Sequence, residues 1–157
     1  MTTVFISGHT DVGIKEFTRY YLPLLQHAVK KGWNFVVGDA DGVDALSQIF
    51  LKKAIPEENH SRVKVFYKGS EPQNYMSTGF LSVGGFVSHK EAAVAMTLCS
   101  DEDIAYVHNG RYTSVTAENI LRRFTKDFPF TEYINAEPRN YEFWEMITSI
   151  KKQEEGE

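Results

Sequence analysis

Short apolar runs alternate with amphipathic stretches along this chain, and that alternation restricts its fold more than any other feature. Val4-Phe5-Ile6, Phe35-Val36-Val37, Val63 to Tyr67 and Ile104 to Val107 are β-rich runs. The first two close on Ser7-Gly8 and Gly38. Helical spacing fills the intervals. Phe17, Tyr20, Tyr21, Leu24, Leu25 and Ala28 follow the first run, and Val43, Leu46, Ile49 and Phe50 form a stripe after the second. Ala92, Ala93, Ala95, Met96 and Leu98 precede the fourth run, and residues 116–126 follow it. Strands that are apolar on both faces and separated by helices belong to a mostly parallel sheet with helices on both sides, joined by right-handed crossovers. The expected class is three-layer α/β.

Local breakers sharpen this reading. Pro23 sits inside a helical pattern and is expected to kink or split it, because proline lacks the amide donor and clashes with the preceding turn. Lys30-Lys31-Gly32 reads as a helix stop. Residues 56–61 read as loop, as does Gly69 to Ser88, which is rich in Gly, Ser and aromatics; Tyr75, Phe80 and Phe86 there are candidates for stacking on a base. Phe130 to Ile134 reads as a last short strand, Tyr141 to Lys151 as a terminal helix, and Lys152 to Glu157 as a fraying tail. At 157 residues, with no internal repeat and no boundary, one domain over residues 1–157 is expected.

Charge and cysteine content narrow the function classes. The formal net charge is −4, which argues against a nucleic-acid-coating surface; Arg122-Arg123 reads as a solvated helix face. Cys99 is the single cysteine, so neither an intrachain disulfide nor a cysteine-based zinc site is available. His9, His27, His60, His89 and His108 lack metal-ligand spacing, so no metal is expected; His9 draws most interest, from its place in the first turn. No cofactor is expected. No apolar run approaches the roughly 18 residues of a membrane span, and Met1 to Gly8 lacks the pattern of a signal segment, so a cytoplasmic protein is expected.

In a parallel sheet the ligand lies beyond the carboxyl ends of the strands, where the turns into helices gather. Three such turns stand out. The first is Ser7-Gly8-His9-Thr10-Asp11-Val12-Gly13, where glycine admits a phosphate to the backbone and Ser7 and Thr10 add hydroxyls. As an ordinary βα turn it would use Asp11 as helix cap. The second is Gly38-Asp39-Ala40-Asp41-Gly42-Val43-Asp44. Its carboxylates suit ribose hydroxyls or acid–base work, and Asp39 or Asp41 suits a cap with Asp44 in the first helical turn. Gly42 suits either a close backbone approach to ligand or a positive φ. The third is Asn109 to Asn119, where Arg111 offers a cation and Ser114 and Thr116 offer hydroxyls to a phosphate or to the helix amides.

Taken together, Val4 to Gly8, Gly38-Asp39-Ala40-Asp41-Gly42-Val43-Asp44 and Ser114-Val115-Thr116-Ala117-Glu118-Asn119-Ile120 resemble the SLOG superfamily, which includes DprA-like, YspA-like and LOG-like proteins. The second turn looks like the group's G-G-A-x-G-V-D motif, and the likeness runs from Val4 to about Arg123. It implies a Rossmann-like fold holding a nucleotide or nucleotide-derived small molecule, with Ser7, Gly8, His9, Thr10, Gly38, Asp39, Gly42, Arg111, Ser114, Thr116 and Asn119 as ligand-binding residues. It also implies a homo-oligomer, since members pair through helices. Hydrolytic members cleave the N-glycosidic bond of nucleoside 5′-monophosphates with a G-G-x-G-T-x-x-E turn. Here Thr116 matches, Val115 stands for the glycine and Asn119 for the glutamate, and Glu118 lies one residue early. Two readings stay open from the residues: a ligand-binding or sensing module, and a nucleotide N-glycosidase using Glu118, Asp41 or Asp44. A DprA-like single-strand DNA binder is a third, which the acidic balance opposes.

Overall fold

The computed structural model describes residues 1–108, 110, 111 and 113–124. The strand at Phe130 to Ile134, the helix at Tyr141 to Lys151, the tail from Lys152, and Asn109 and Tyr112 of the third turn lie outside the described residues.

Five parallel strands form one sheet: β1 (Thr3–Ser7), β2 (Asn34–Gly38), β3 (Val63–Lys68), β4 (Leu81–Phe86) and β5 (Glu102–Ala105), in the order β4-β3-β2-β1-β5. The helices are α1 (Ile14–Tyr20), α2 (Leu22–Lys30), α3 (Val43–Ala54), α4 (His89–Leu98) and α5 (Val115–Phe124), with a 3-10 turn over Glu57–Arg62 where plain loop was expected. Alternate strand residues face opposite sides. Val4, Ile6, Phe35, Val37, Val63 and Val65 pack with Phe17, Tyr21, Leu25, Val43 and Leu51 of α1–α3. Phe5, Val36 and Phe66 pack with Ala93 and Met96 of α4, and Ala105 packs with Ala117 and Ile120 of α5. The three-layer α/β, Rossmann-like class is the observed one.

Pro23 does split the first helix. Tyr21 stands between α1 and α2, and Pro23 falls in the first turn of α2, where its missing N–H has no helical partner to forgo. Gly32, at φ 78°, ends α2: Gly32 N–H reaches the Val29 carbonyl and Trp33 N–H the Ala28 carbonyl, both between 3.0 and 3.1 Å. Ser88 caps α4 by accepting from Glu91 N–H at 3.0 Å.

Four expectations are corrected. The segment from Gly69 to Ser88 holds the edge strand β4, reached from β3 by residues 69–80 without a helix. Its glycines hid it: Gly84 lies under the Tyr67 ring, which a Cβ would strike. The fourth predicted strand is shifted back, to Glu102–Ala105. The buried face of α3 is Val43, Ser47, Gln48 and Leu51, with Leu46 and Phe50 partly buried and Ile49 exposed, because Gln48 binds the chain that crosses it. Gln48 Nε2 donates to the Gly38 and Tyr75 carbonyls at 3.0 and 3.1 Å, and its Oε1 accepts from Ser77 N–H at 2.8 Å. Lastly, Arg122 and Arg123 are buried, not solvated. Arg123 grips both Asp103 oxygens at 2.9 and 3.0 Å and the Ser100 carbonyl at 2.9 Å. Arg122 donates to Asn119 Oδ1 at 2.7 Å, and its other terminal nitrogen to Glu118 at 3.2 Å.

A candidate ligand site at the strand switch point

β1 has β2 on one side and β5 on the other, so the chain order reverses between β1 and β5. Loops leaving neighbouring strands in opposite directions open a crevice beyond their carboxyl ends. Its floor is Tyr21. Fully buried, its hydroxyl donates to the Ser7 carbonyl at 2.8 Å and accepts from Tyr106 N–H at 2.9 Å. This replaces the next rung of the ladder past the Ser7–Ala105 pair. Burial drives the phenol's pKa up, so it stays protonated.

The loops after β1 and β5 also meet through side chains. The Arg111 guanidinium takes both Asp11 oxygens at 2.7 and 2.9 Å. This hydrogen-bonded fork lowers the Asp11 carboxyl's pKa and raises that of Arg111, while both side chains remain in contact with solvent, 62% and 37% exposed. His9 and His108 are buried beside it. His9 Nε2 accepts from His108 N–H at 3.1 Å, so its own proton sits on Nδ1. His108 Nδ1 lies 3.1 Å from Glu16 Oε2 of α1. Burial lowers both histidines' pKa, His9 with help from Arg111 and His108, whereas Glu16 works in the opposite sense on His108. His108 therefore carries its proton on Nδ1 toward Glu16. Its Nε2 is a buried lone pair with no hydrogen-bond partner among the described residues. Tyr20 and Tyr106, stacked at 4.0 Å, pack against the His108 ring with centroids 5.2 and 5.0 Å from its own.

The first and second turns are in direct contact. Gly42 has φ 69°, and a Cβ there would fall on the His9 carbonyl and Thr10 backbone. Of the two reasons a glycine was expected at this position, the positive φ is the one observed. Gly8 and Gly38 are close-packed in the same sense: a Cβ on Gly8 would strike Val43 and Tyr21, and one on Gly38 would meet Asp44 Oδ2 at 2.6 Å. Neither Asp11 nor any aspartate of the second turn caps a helix: α1 and α3 begin at Gly13 and Gly42 without side-chain caps. Buried Asp39 instead accepts from Gln73 N–H at 2.7 Å, and its carbonyl accepts from Tyr75 N–H at 2.8 Å. Asp44 accepts from Ala40 N–H at 3.2 Å; burial, reinforced by Asp39, lifts its pKa to about 7. Asp41 and Thr10 are exposed.

The third turn divides. Ser114 caps α5, its Oγ accepting from Ala117 N–H at 3.2 Å. Thr116 and Asn119 are buried, Asn119 holding Arg122. Glu118 is shared between Arg122 at 3.2 Å and Lys90 at 3.6 Å. Ser7, the last residue of β1, has a buried hydroxyl with no hydrogen-bond partner among the described residues. The proposed stacking aromatics are otherwise engaged: Phe80 is in the core against His60, Phe86 stacks on Phe66, and the Tyr75 hydroxyl accepts from Ser77. Reading by sequence alone passed over Glu16, Tyr20, Tyr21, Tyr106 and His108. His108 had one usable signal, its position just past an apolar strand.

Among the described residues no cluster of three or more His, Cys, Asp or Glu could hold a metal ion, and no helix is long and apolar enough to cross a membrane. No family model, curated protein or solved structure matches the chain.

Proposed function

We propose that this chain binds a nucleotide or nucleotide-derived small molecule in the crevice between the loops after β1 and β5, as a sensing or ligand-handling module of SLOG type. The observation that carries the reading is convergence at the switch point. Arg111, His9, His108 and the unpartnered Ser7 hydroxyl gather where open parallel sheets bind ligands. Arg111 supplies a planar fork suited to phosphate, which offsets the chain's acidic balance locally. Calorimetry and thermal melting with AMP, CMP, GMP, UMP and their deoxy forms test it. A ligand at a hundred times its Kd adds about 2.7 kcal/mol, a melting shift of roughly 5–11 °C for a domain of this size. No heat and no shift with any of them overturns the proposal.

A second reading, N-glycosidic hydrolysis, is favoured by one observation: the Asp44 carboxyl, with its pKa lifted to about 7, suits a general acid. Glu118 suits it less, being tied to Arg122 and Lys90. Base released from any of the eight nucleotides, and lost in Asp44→Asn, would select this reading over the first.

A further inference from the structure

We infer that His108 Nε2 is the acceptor for a sugar hydroxyl of a phosphorylated ligand, whose phosphate takes Arg111 from Asp11. The inference rests on the binding reading above and names the group that recognises the sugar. Three observations support it. The lone pair is fixed in place: Glu16 holds the proton on Nδ1, the backbone N–H is tied to His9, and Tyr20 and Tyr106 pack the ring edge-on. It is also unsatisfied, since Nε2 is buried with no partner among the described residues. A buried acceptor without a donor is left short of the bond it would make to water, and a ligand O–H would supply that bond. Finally, the acceptor and the cation sit on one turn, closed by Arg111 N–H to the His108 carbonyl at 3.1 Å. A phosphate on Arg111 thus places the hydroxyls of its own sugar within reach of the same turn.

The carboxylates expected to read the sugar are less suited to it. Asp39 is buried on Gln73 N–H, and Asp44 holds Ala40 N–H. The Asp11–Arg111 fork is the exposed contact joining the two loops, so phosphate competes with Asp11 for the same two donors.

Calorimetry with AMP, 2′,3′-dideoxy-AMP and IMP on the wild type, His108→Ala, Glu16→Leu and Asp11→Ala tests this. The wild type should prefer AMP to the dideoxy form by about five- to tenfold, the worth of one hydrogen bond. His108→Ala should bind the two alike, and Glu16→Leu, which has no acceptor for the Nδ1 proton, should narrow the gap by releasing the tautomer. Asp11→Ala should bind AMP several-fold tighter. If His108→Ala melts too low to assay, Glu16→Leu decides, since it alters a half-exposed side chain. Equal wild-type affinity for AMP and dideoxy-AMP overturns the inference. So does a preference unchanged in His108→Ala or, where that variant is unusable, in Glu16→Leu, and so does weaker AMP binding by Asp11→Ala. A His108-dependent loss on IMP in place of dideoxy-AMP assigns the base amine and overturns the sugar. Wild type that binds none of the three, while other nucleotides bind, overturns only this inference; silence across the whole panel overturns the binding reading itself.

Discussion

Asp44 makes the stability of this fold depend on pH in an unusual direction. Its folded pKa is about 7, against an unfolded value of about 3.9. The native state therefore holds a proton between those values that the unfolded chain has released. Stability from this group is present below the unfolded pKa and is lost as pH rises toward the folded one. Asp44→Asn removes the titration and keeps an oxygen for Ala40 N–H. Relative to wild type, the variant should gain about 1.4 kcal/mol for each pH unit between 4 and 7, levelling off above 7. From pH 5 to pH 8 the gain grows by about 3 kcal/mol, or roughly 6–12 °C in melting temperature at 2–4 °C per kcal/mol. Melting both proteins by circular dichroism at four pH values reads it directly. Parallel curves for variant and wild type across pH 5–8 would refute the argument, because they require a carboxyl that titrates alike folded and unfolded.

Two further perturbations follow from the packing. Arg123→Met leaves Asp103 buried without its fork and the Ser100 carbonyl without its donor, so urea unfolding should show a loss of about 3–5 kcal/mol, and a loss under 1 kcal/mol would mean that Asp103 finds water. Gly42→Val puts a β-branched side chain at φ 69° and its Cβ onto the His9 carbonyl, so the variant should be strongly destabilised or fail to fold rather than fold without binding; a variant melting within 2 °C of wild type would contradict the contact between the first two turns.

Local chemistry made much of the fold legible. The runs at Val4, Phe35 and Val63 had to be strands buried on two faces, Pro23 had to interrupt its helix, and Ser114 was a sound cap. Features that depend on distant partners were not legible. Arg122-Arg123 looks like solvated helix until Asp103, Ser100 and Thr97 arrive from elements earlier in the chain. β4 carries Gly84-Gly85, which reads as loop unless Tyr67 is known to cover one of the pair. The tautomer of His108 depends on Glu16, which belongs to the helix after a different strand. Even the stripe on α3 was set by a long-range demand, the backbone groups of Gly38, Tyr75 and Ser77 that Gln48 satisfies.

The same distinction sorts the candidate site. A polar group already bonded to the protein's own backbone can turn to a ligand only by leaving a buried donor unpaired, at a cost of about 1–3 kcal/mol. Asp39 is in that position, and Ser114 is partly so through its cap. Glu118 and Asn119 are held instead by a buried guanidinium, and removing either uncovers a charge. Gly8, Gly38 and Gly42 have the space of their absent side chains filled by protein atoms, so their small size serves the contact between turns first. Ser7 Oγ and His108 Nε2 stand apart: each is buried, without a partner among the described residues, and carried by a strand or loop that borders the switch point. Arg111 stands apart differently, since Asp11 satisfies it in solvent, where an ion pair is weak and a dianionic phosphate is the stronger competitor. The polar groups without a partner of their own among the described residues therefore lie on β1 and the loop after β5, while the acidic turn after β2, the most distinctive motif in the sequence, chiefly holds residues 69–80 and the first turn in position.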